Sequence, residues 1–482
     1  NVIVTGGTTT TLYGGNNRGG TTATSNIDIT GGNIMTAYGG GALTDTTASD
    51  ITVVDGMIGI LYGGGQEASI LNNSSIVVNG GTIDTIFGGS NIKGDVMESQ
   101  IQINDGTLGE VYGGNNQGGN TNTTNIILNS GSITTVYGGG NRTQTDTSNI
   151  NFQGSTVDTI YGGGNQAGVT TTNINLITGE ATTVFGGSNT SGTVDNTNIK
   201  TTNPTNLSVT TLYGGNNQGG LTIESHITLD GGFYTNIYGG GNVASTNYTE
   251  VVVNNITASG SFFGGGNNAE VLYETDVTIE GSTIATDVFG GGNLGSVNES
   301  TNVYVSNSYI GGSIYAGGNG ATAIVYGNTH LNIDNNTVIN NHVFGGGNAA
   351  NTGEEDQNNS VSEVNIKGAT IHGNIYGGAN TAVLYGEVSL NIGNDVTPDD
   401  LIKSDIMIDG TVFGGGEANA SGDPNYDYSF ISVTKGININ IDGNNHDQFD
   451  IKGSIFGSGN ASSTSGYSYI NISNYGTFTD YK

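Results

Sequence analysis

Val136-Tyr137-Gly138-Gly139-Gly140-Asn141 is one of seventeen copies of a single pattern: an apolar residue, then Tyr or Phe, then a glycine-rich turn that usually ends in Asn. Other copies are LYGGNN around Tyr13, VFGGGN around Phe289 and IFGSGN around Phe456. The aromatics stand at 13, 38, 62, 87, 112, 137, 161, 185, 213, 238, 263, 289, 315, 344, 376, 413 and 456. Their spacing holds at 24 to 26 residues with one step of 28, then widens to 29, 32, 37 and 43. A fixed period of this size marks a solenoid in which each repeat is one coil.

Working outward from the aromatic, the preceding residue is apolar in every copy, from Leu12 and Ala37 to Ile455. The next two positions are each Gly in 16 of 17 copies, Ala316 and Ser458 being the exceptions. Asn stands four residues after the aromatic in 14 of 17, with Ala42, Gln66 and Glu417 departing. Upstream, an alternating apolar pair recurs, as in Ile27 with Ile29, Ile101 with Ile103 and Val277 with Ile279. Period-two alternation of β-branched residues is a strand signal. Turns such as Asp55-Gly56, Asp105-Gly106 and Asn79-Gly80-Gly81 separate the two elements, and later coils add a third apolar pattern, as at 270–273.

Two or three short strands per coil predict an all-β, right-handed parallel β-helix. It has about 18 coils, mostly of 24–26 residues and longer near the C-terminus. Strands of one coil pair with those of the next at about 4.8 Å, and the handedness follows the parallel-crossover rule. A single domain, 1–482, is expected, regular over 1–315 and carrying loop insertions over 316–482. Like residues then stack on like. Tyr13, Tyr38, Tyr62, Phe87, Tyr112, Tyr137 and Tyr161 form an aromatic ladder in the core. Asn91, Asn116, Asn141, Asn165 and Asn189 form an inward amide ladder, as stacked amides do in cross-β structures. The turn glycines are expected to take positive φ.

Composition narrows the function. Hydrophobic residues are 33% and charged residues 10%, while 41 Asp+Glu face nine Lys+Arg for a net charge of −32. So acidic a chain repels polyanions, and nucleic acid or an anionic membrane would need a basic face it lacks. No apolar run reaches the roughly 18 residues of a spanning helix. Cysteine is absent, which excludes disulfide staples and thiolate metal sites.

The basic residues are scattered, and His226, His330, His342, His372 and His446 form no tight motif, although His342 and His372 fall in adjacent coils. No catalytic constellation follows, and the chain reads as a non-enzyme. A YGGG turn resembles a phosphate loop only superficially, because no helix follows it. Thr clusters at 8–11, 44–47 and 170–172 hold no coil-to-coil register, so a flat ice-binding face is not indicated.

No cofactor is expected. Ca²⁺ takes carboxylate and carbonyl oxygens, and the acid-rich insertions supply its candidate ligands: Glu354, Glu355 and Asp356, then Asp399 and Asp400. The nonapeptide of calcium-binding rolls is missing. Insertions in a solenoid map to loops on one side, often the interacting side.

Val2 and Val4 match Ile27 and Ile29, and Tyr481 falls on an eighteenth aromatic position. An uncapped coil exposes unpaired strand edges, so head-to-tail stacking into a non-closing filament is expected. The period and composition resemble those of Gly/Asn/Thr-rich β-solenoid proteins of microbial cell surfaces, such as filamentous adhesin passengers and extracellular fibre or sheath subunits. The resemblance implies a structural protein at the cell surface or outside the cell, with its own copies as partner. The alternatives it implies are the stalk of a larger adhesin that meets cell-surface glycans or host matrix, and a carbohydrate-active β-helix.

Overall fold

The computed structural model describes residues 1–393, 404–418, 430–444, 446 and 448–474. Among them every regular element is a strand and every strand pairing with a printed register is parallel. The described residues make about 16 turns of a parallel β-solenoid, close to the 18 expected. The eighteenth aromatic, Tyr481, lies outside the described residues. The chain divides into two compact units, Asn1–Phe233 with Gly241–Ser245, and Tyr234–Gly240 with Thr246–Lys482.

In the first unit each coil holds an upstream strand and an aromatic strand. Thr46–Val53 with Met57–Tyr62, and Val96–Ile103 with Thr107–Tyr112, are typical. In three coils the two run together into strands of 17 residues, Thr22–Tyr38, Thr145–Tyr161 and Val169–Phe185, where separate short strands were expected. Register places like on like: Ile76, Ile101, Ile126, Ile150, Ile174 and Ile199 pair in succession. That isoleucine column is at most 1% exposed, and the column before the aromatic (Leu61, Ile86, Val111, Val136, Ile160, Val184) is wholly buried. A chain one-third apolar therefore builds a core in this unit because its recurring apolar columns fall on inward positions, while apolar residues outside those columns, such as Met35, Met57 and Leu71, are exposed.

The second unit keeps the upstream strand, as in Thr275–Glu280, Thr301–Ser306 and Thr329–Asp334. The aromatic strand shrinks there to two residues, as in Val288–Phe289 and Ile314–Tyr315. The third apolar pattern becomes single bridges linking Val271, Val297, Val325, Thr352 and Leu384. Val271, Val297 and Val325 pack as one buried cluster.

Glycine serves two separate needs. Those between the strands take positive φ, for example Gly56 at 119° and Gly106 at 125°, which L side chains resist. Those that follow the aromatic do not, contrary to expectation. They are glycine because the next coil is too close: a Cβ on Gly63 would stand 2.5 Å from the Gly88 carbonyl oxygen and nearer still to Ser74 Oγ.

Candidate functional site

The predicted aromatic residues stack ring on ring. From Tyr13 through Tyr38, Tyr62, Phe87, Tyr112, Tyr137 and Tyr161 to Phe185 and Tyr213, centroids lie 4.5–5.0 Å apart with planes within 10°. In the second unit Tyr238, Phe263, Phe289, Tyr315, Phe344 and Tyr376 repeat this at 4.7–4.9 Å. The rings are buried, apart from half-buried Tyr13. Burial raises the pKa values of these phenols, to about 12 for Tyr62, Tyr137 and Tyr376. Tyr112 is raised too, by burial first and then by the Glu110 carboxylate.

The amide column sits at the boundary of the core and is half-buried, where an inward position was expected. Asn116 Nδ2 donates to Asn91 Oδ1 at 2.9 Å, Asn141 to Asn116 at 2.9 Å, Asn165 to Asn141 at 3.1 Å and Asn189 to Asn165 at 3.0 Å. The same amides reach back two coils to the aromatic ladder. Asn91 donates to Tyr38 Oη at 3.0 Å and Asn116 to Tyr62 Oη at 3.2 Å. The phenol oxygens are thereby satisfied at the rim of an apolar stack, as buried polar groups require.

A third column escaped the sequence reading. Ser25, Ser49, Ser74, Ser99, Thr124, Ser148, Thr172 and Thr197 pair in succession, each at most 3% exposed. Thr249, Thr275, Thr301, Thr329 and Ser362 continue it within the second unit. Ser25, Ser99 and Ser148 are buried without a hydrogen-bond partner; the other hydroxyls of the column close their coil on itself by donating to the carbonyl one residue after the aromatic. Ser74 reaches Gly88 O at 2.7 Å, Thr124 reaches Gly138 O at 2.6 Å, Thr197 reaches Gly214 O at 2.7 Å and Thr301 reaches Ala316 O at 2.6 Å. The sequence carries the signal: a Ser or Thr stands two residues before the first member of the apolar pair in every coil from Ile27 to Val364, as in Ser49-Asp50-Ile51.

The acidic candidates are not gathered. Glu354 is half-buried and accepts a 2.7 Å hydrogen bond from Gln357 Nε2, while Glu355 and Asp356 are exposed. Asp399 and Asp400 lie outside the described residues. Among the described residues no three His, Asp or Glu side chains converge as a metal site would require. Glu354 instead borders a groove of about 770 Å³ in the second unit.

The histidines have separate partners. His342 lies edge-on to Phe344 and Tyr376, and its Nδ1 accepts from the Asn374 amide at 2.9 Å. His372 Nδ1 meets Asp409 Oδ2 at 2.6 Å, and Lys452 Nζ meets Asp409 Oδ1 at 2.6 Å, so the carboxylate is held between the imidazole and the ammonium. His330 contacts Glu363 at 3.1 Å. No described helix is long and apolar enough to cross a membrane. Comparison with protein-family models, with curated proteins and with solved structures gave no match.

Proposed function

We propose that this chain is a structural protein of the cell surface or exterior whose copies stack coil upon coil into a filament or sheath. The observation that carries the reading is translation along the ladders. Each coil offers its neighbour the same isoleucine, aromatic, hydroxyl and amide in the same register, so a coil's face is complementary to a coil of another copy. Backbone pairing plus these ladders supplies both adhesion and register, and heterologous stacking does not close on itself. The resemblance to extracellular solenoid fibres supports the location.

Electron microscopy of the purified chain should show polymers, and fibre diffraction a meridional spacing of about 4.8 Å. A monomer whose mass is independent of concentration would end this reading. The groove beside Glu354 favours a second one, the stalk or binding segment of a larger surface adhesin. An anchor or further domains in the full gene would select it.

A further inference from the structure

The insertion at 351–359 is where the second unit stops repeating itself. Its backbone is tied down. Gly353 N donates to Val325 O at 2.7 Å, Asn358 N to Glu354 O at 2.8 Å, and Thr434 Oγ1 donates to Asn358 Oδ1. The strand that follows is fixed in turn, Val361 N donating to Asn328 Oδ1 at 2.9 Å. The held loop forms one wall of the 770 Å³ groove, and the two preceding coils, at 298–300 and 326–328, form the rest. A volume of this size suits a ligand larger than an ion.

The lining is polar and unspent. The side chains of Asn298, Glu299 and Asn359 make no hydrogen bond to any described residue, and Tyr326 presents its ring at 37% exposure. This differs from the ladders, where each amide is taken up by the next. No Lys, Arg or His lines the groove. Glu299 also stands close enough to Glu274 that burial, then Asp276 and Glu299, raise the Glu274 carboxyl. An anionic ligand is therefore repelled. A divalent cation lacks the converging carboxylates it needs. What remains is a ligand rich in hydroxyl groups with one face flat enough for a phenol ring.

From the free amides and carboxylate around an exposed tyrosine, in a rigid groove with no basic residue, we infer that this site binds an uncharged oligosaccharide. Tyr326 supplies the platform on which the apolar face of a sugar ring rests. Asn298, Asn359 and Glu299 exchange hydrogen bonds with its hydroxyls. The inference stands on the groove alone and holds whether or not copies assemble.

The test is calorimetric titration of the full chain with neutral hexasaccharides built from glucose, mannose, xylose or N-acetylglucosamine, and with oligogalacturonate, all in EDTA. At least one neutral oligomer should bind, and Tyr326→Ala and Asn359→Ala should each weaken it about tenfold, while oligogalacturonate does not bind. Tyr309→Ala, an exposed tyrosine outside the groove, should leave the affinity unchanged. Tyr326 and Asn359 are both exposed, so an unchanged circular dichroism spectrum separates lost binding from lost fold. Failure of every neutral oligomer, undiminished binding by the double variant, or binding only with added calcium overturns the inference. Loss of polymers in micrographs bears on assembly and leaves it intact.

Discussion

The turn around Tyr137 and the groove walled by 351–359 are made from the same repeat, and they treat polar side chains in opposite ways. At the turn Asn141 is bonded to Asn116, Asn165 to Asn141, and Thr124 to Gly138 O. Translation from coil to coil takes up these amides and this hydroxyl, although Thr145 Oγ1 and Ser148 Oγ nearby stay buried without a partner. At the groove an insertion interrupts translation, and Asn298 and Asn359 are left without a protein partner. A solenoid is inert where it repeats and gains binding capacity where it departs from repetition.

The contrast breaks most sharply at a glycine that faces the next coil. Gly63→Ala should cost about 3 kcal/mol or more, because its Cβ would meet backbone and a buried hydroxyl. Gly6→Ala, with open space around it, should stay within about 0.5 kcal/mol. Denaturant melts of both variants would decide whether close approach or mere glycine content sets the requirement.

Thr197→Val tests the hydroxyl column. It strands the buried Gly214 carbonyl at a cost of about 1–3 kcal/mol, and amide exchange should quicken around that turn before elsewhere. Thr145→Val is the opposite case. Thr145 Oγ1 is buried with no partner, and its register neighbour is Val169, so the substitution should stabilise by about 1 kcal/mol. A destabilised variant would show that this hydroxyl has a use in the fold.

The phenol ladder sharpens the comparison through pH. Tyr62, Tyr137 and Tyr376 have folded pKa values raised to about 12, against about 10 in the unfolded chain. Protonated phenol is thus favoured by folding. Stability from this source is complete below about pH 10 and is lost as pH rises towards 12. Tyrosinate absorbance should appear together with loss of the β-sheet spectrum; tyrosinate forming well before unfolding would contradict it. The exposed column His372, Asp409 and Lys452 should matter least. Asp409→Asn should leave the melting temperature unmoved in high salt.

How much was legible follows from what repeats. The aromatic and apolar columns recur at one spacing, so their stacking could be read from the chain alone. The hydroxyl column was equally periodic yet easy to pass over, because Ser and Thr alternate in it and lie among many other Ser and Thr residues. The reason for glycine after the aromatic could not be read, since positive φ and close approach leave the same letter in a sequence. The groove was also hidden. The insertion at 351–359 was visible as extra length, but its partners at 326–328 and 298–300 lie one and two coils upstream in ordinary-looking segments.

By itself the sequence determined the coil: its length, its inward residues, and the stacking of each on its equivalent, because period and alternation alone dictate which side chains share a face. Only the tertiary structure decided which hydrogen bonds close each turn, how near one coil's glycine lies to the next, and which polar groups remain unpaired. Those depend on distances between residues some 14 to 60 positions apart, which no local pattern encodes.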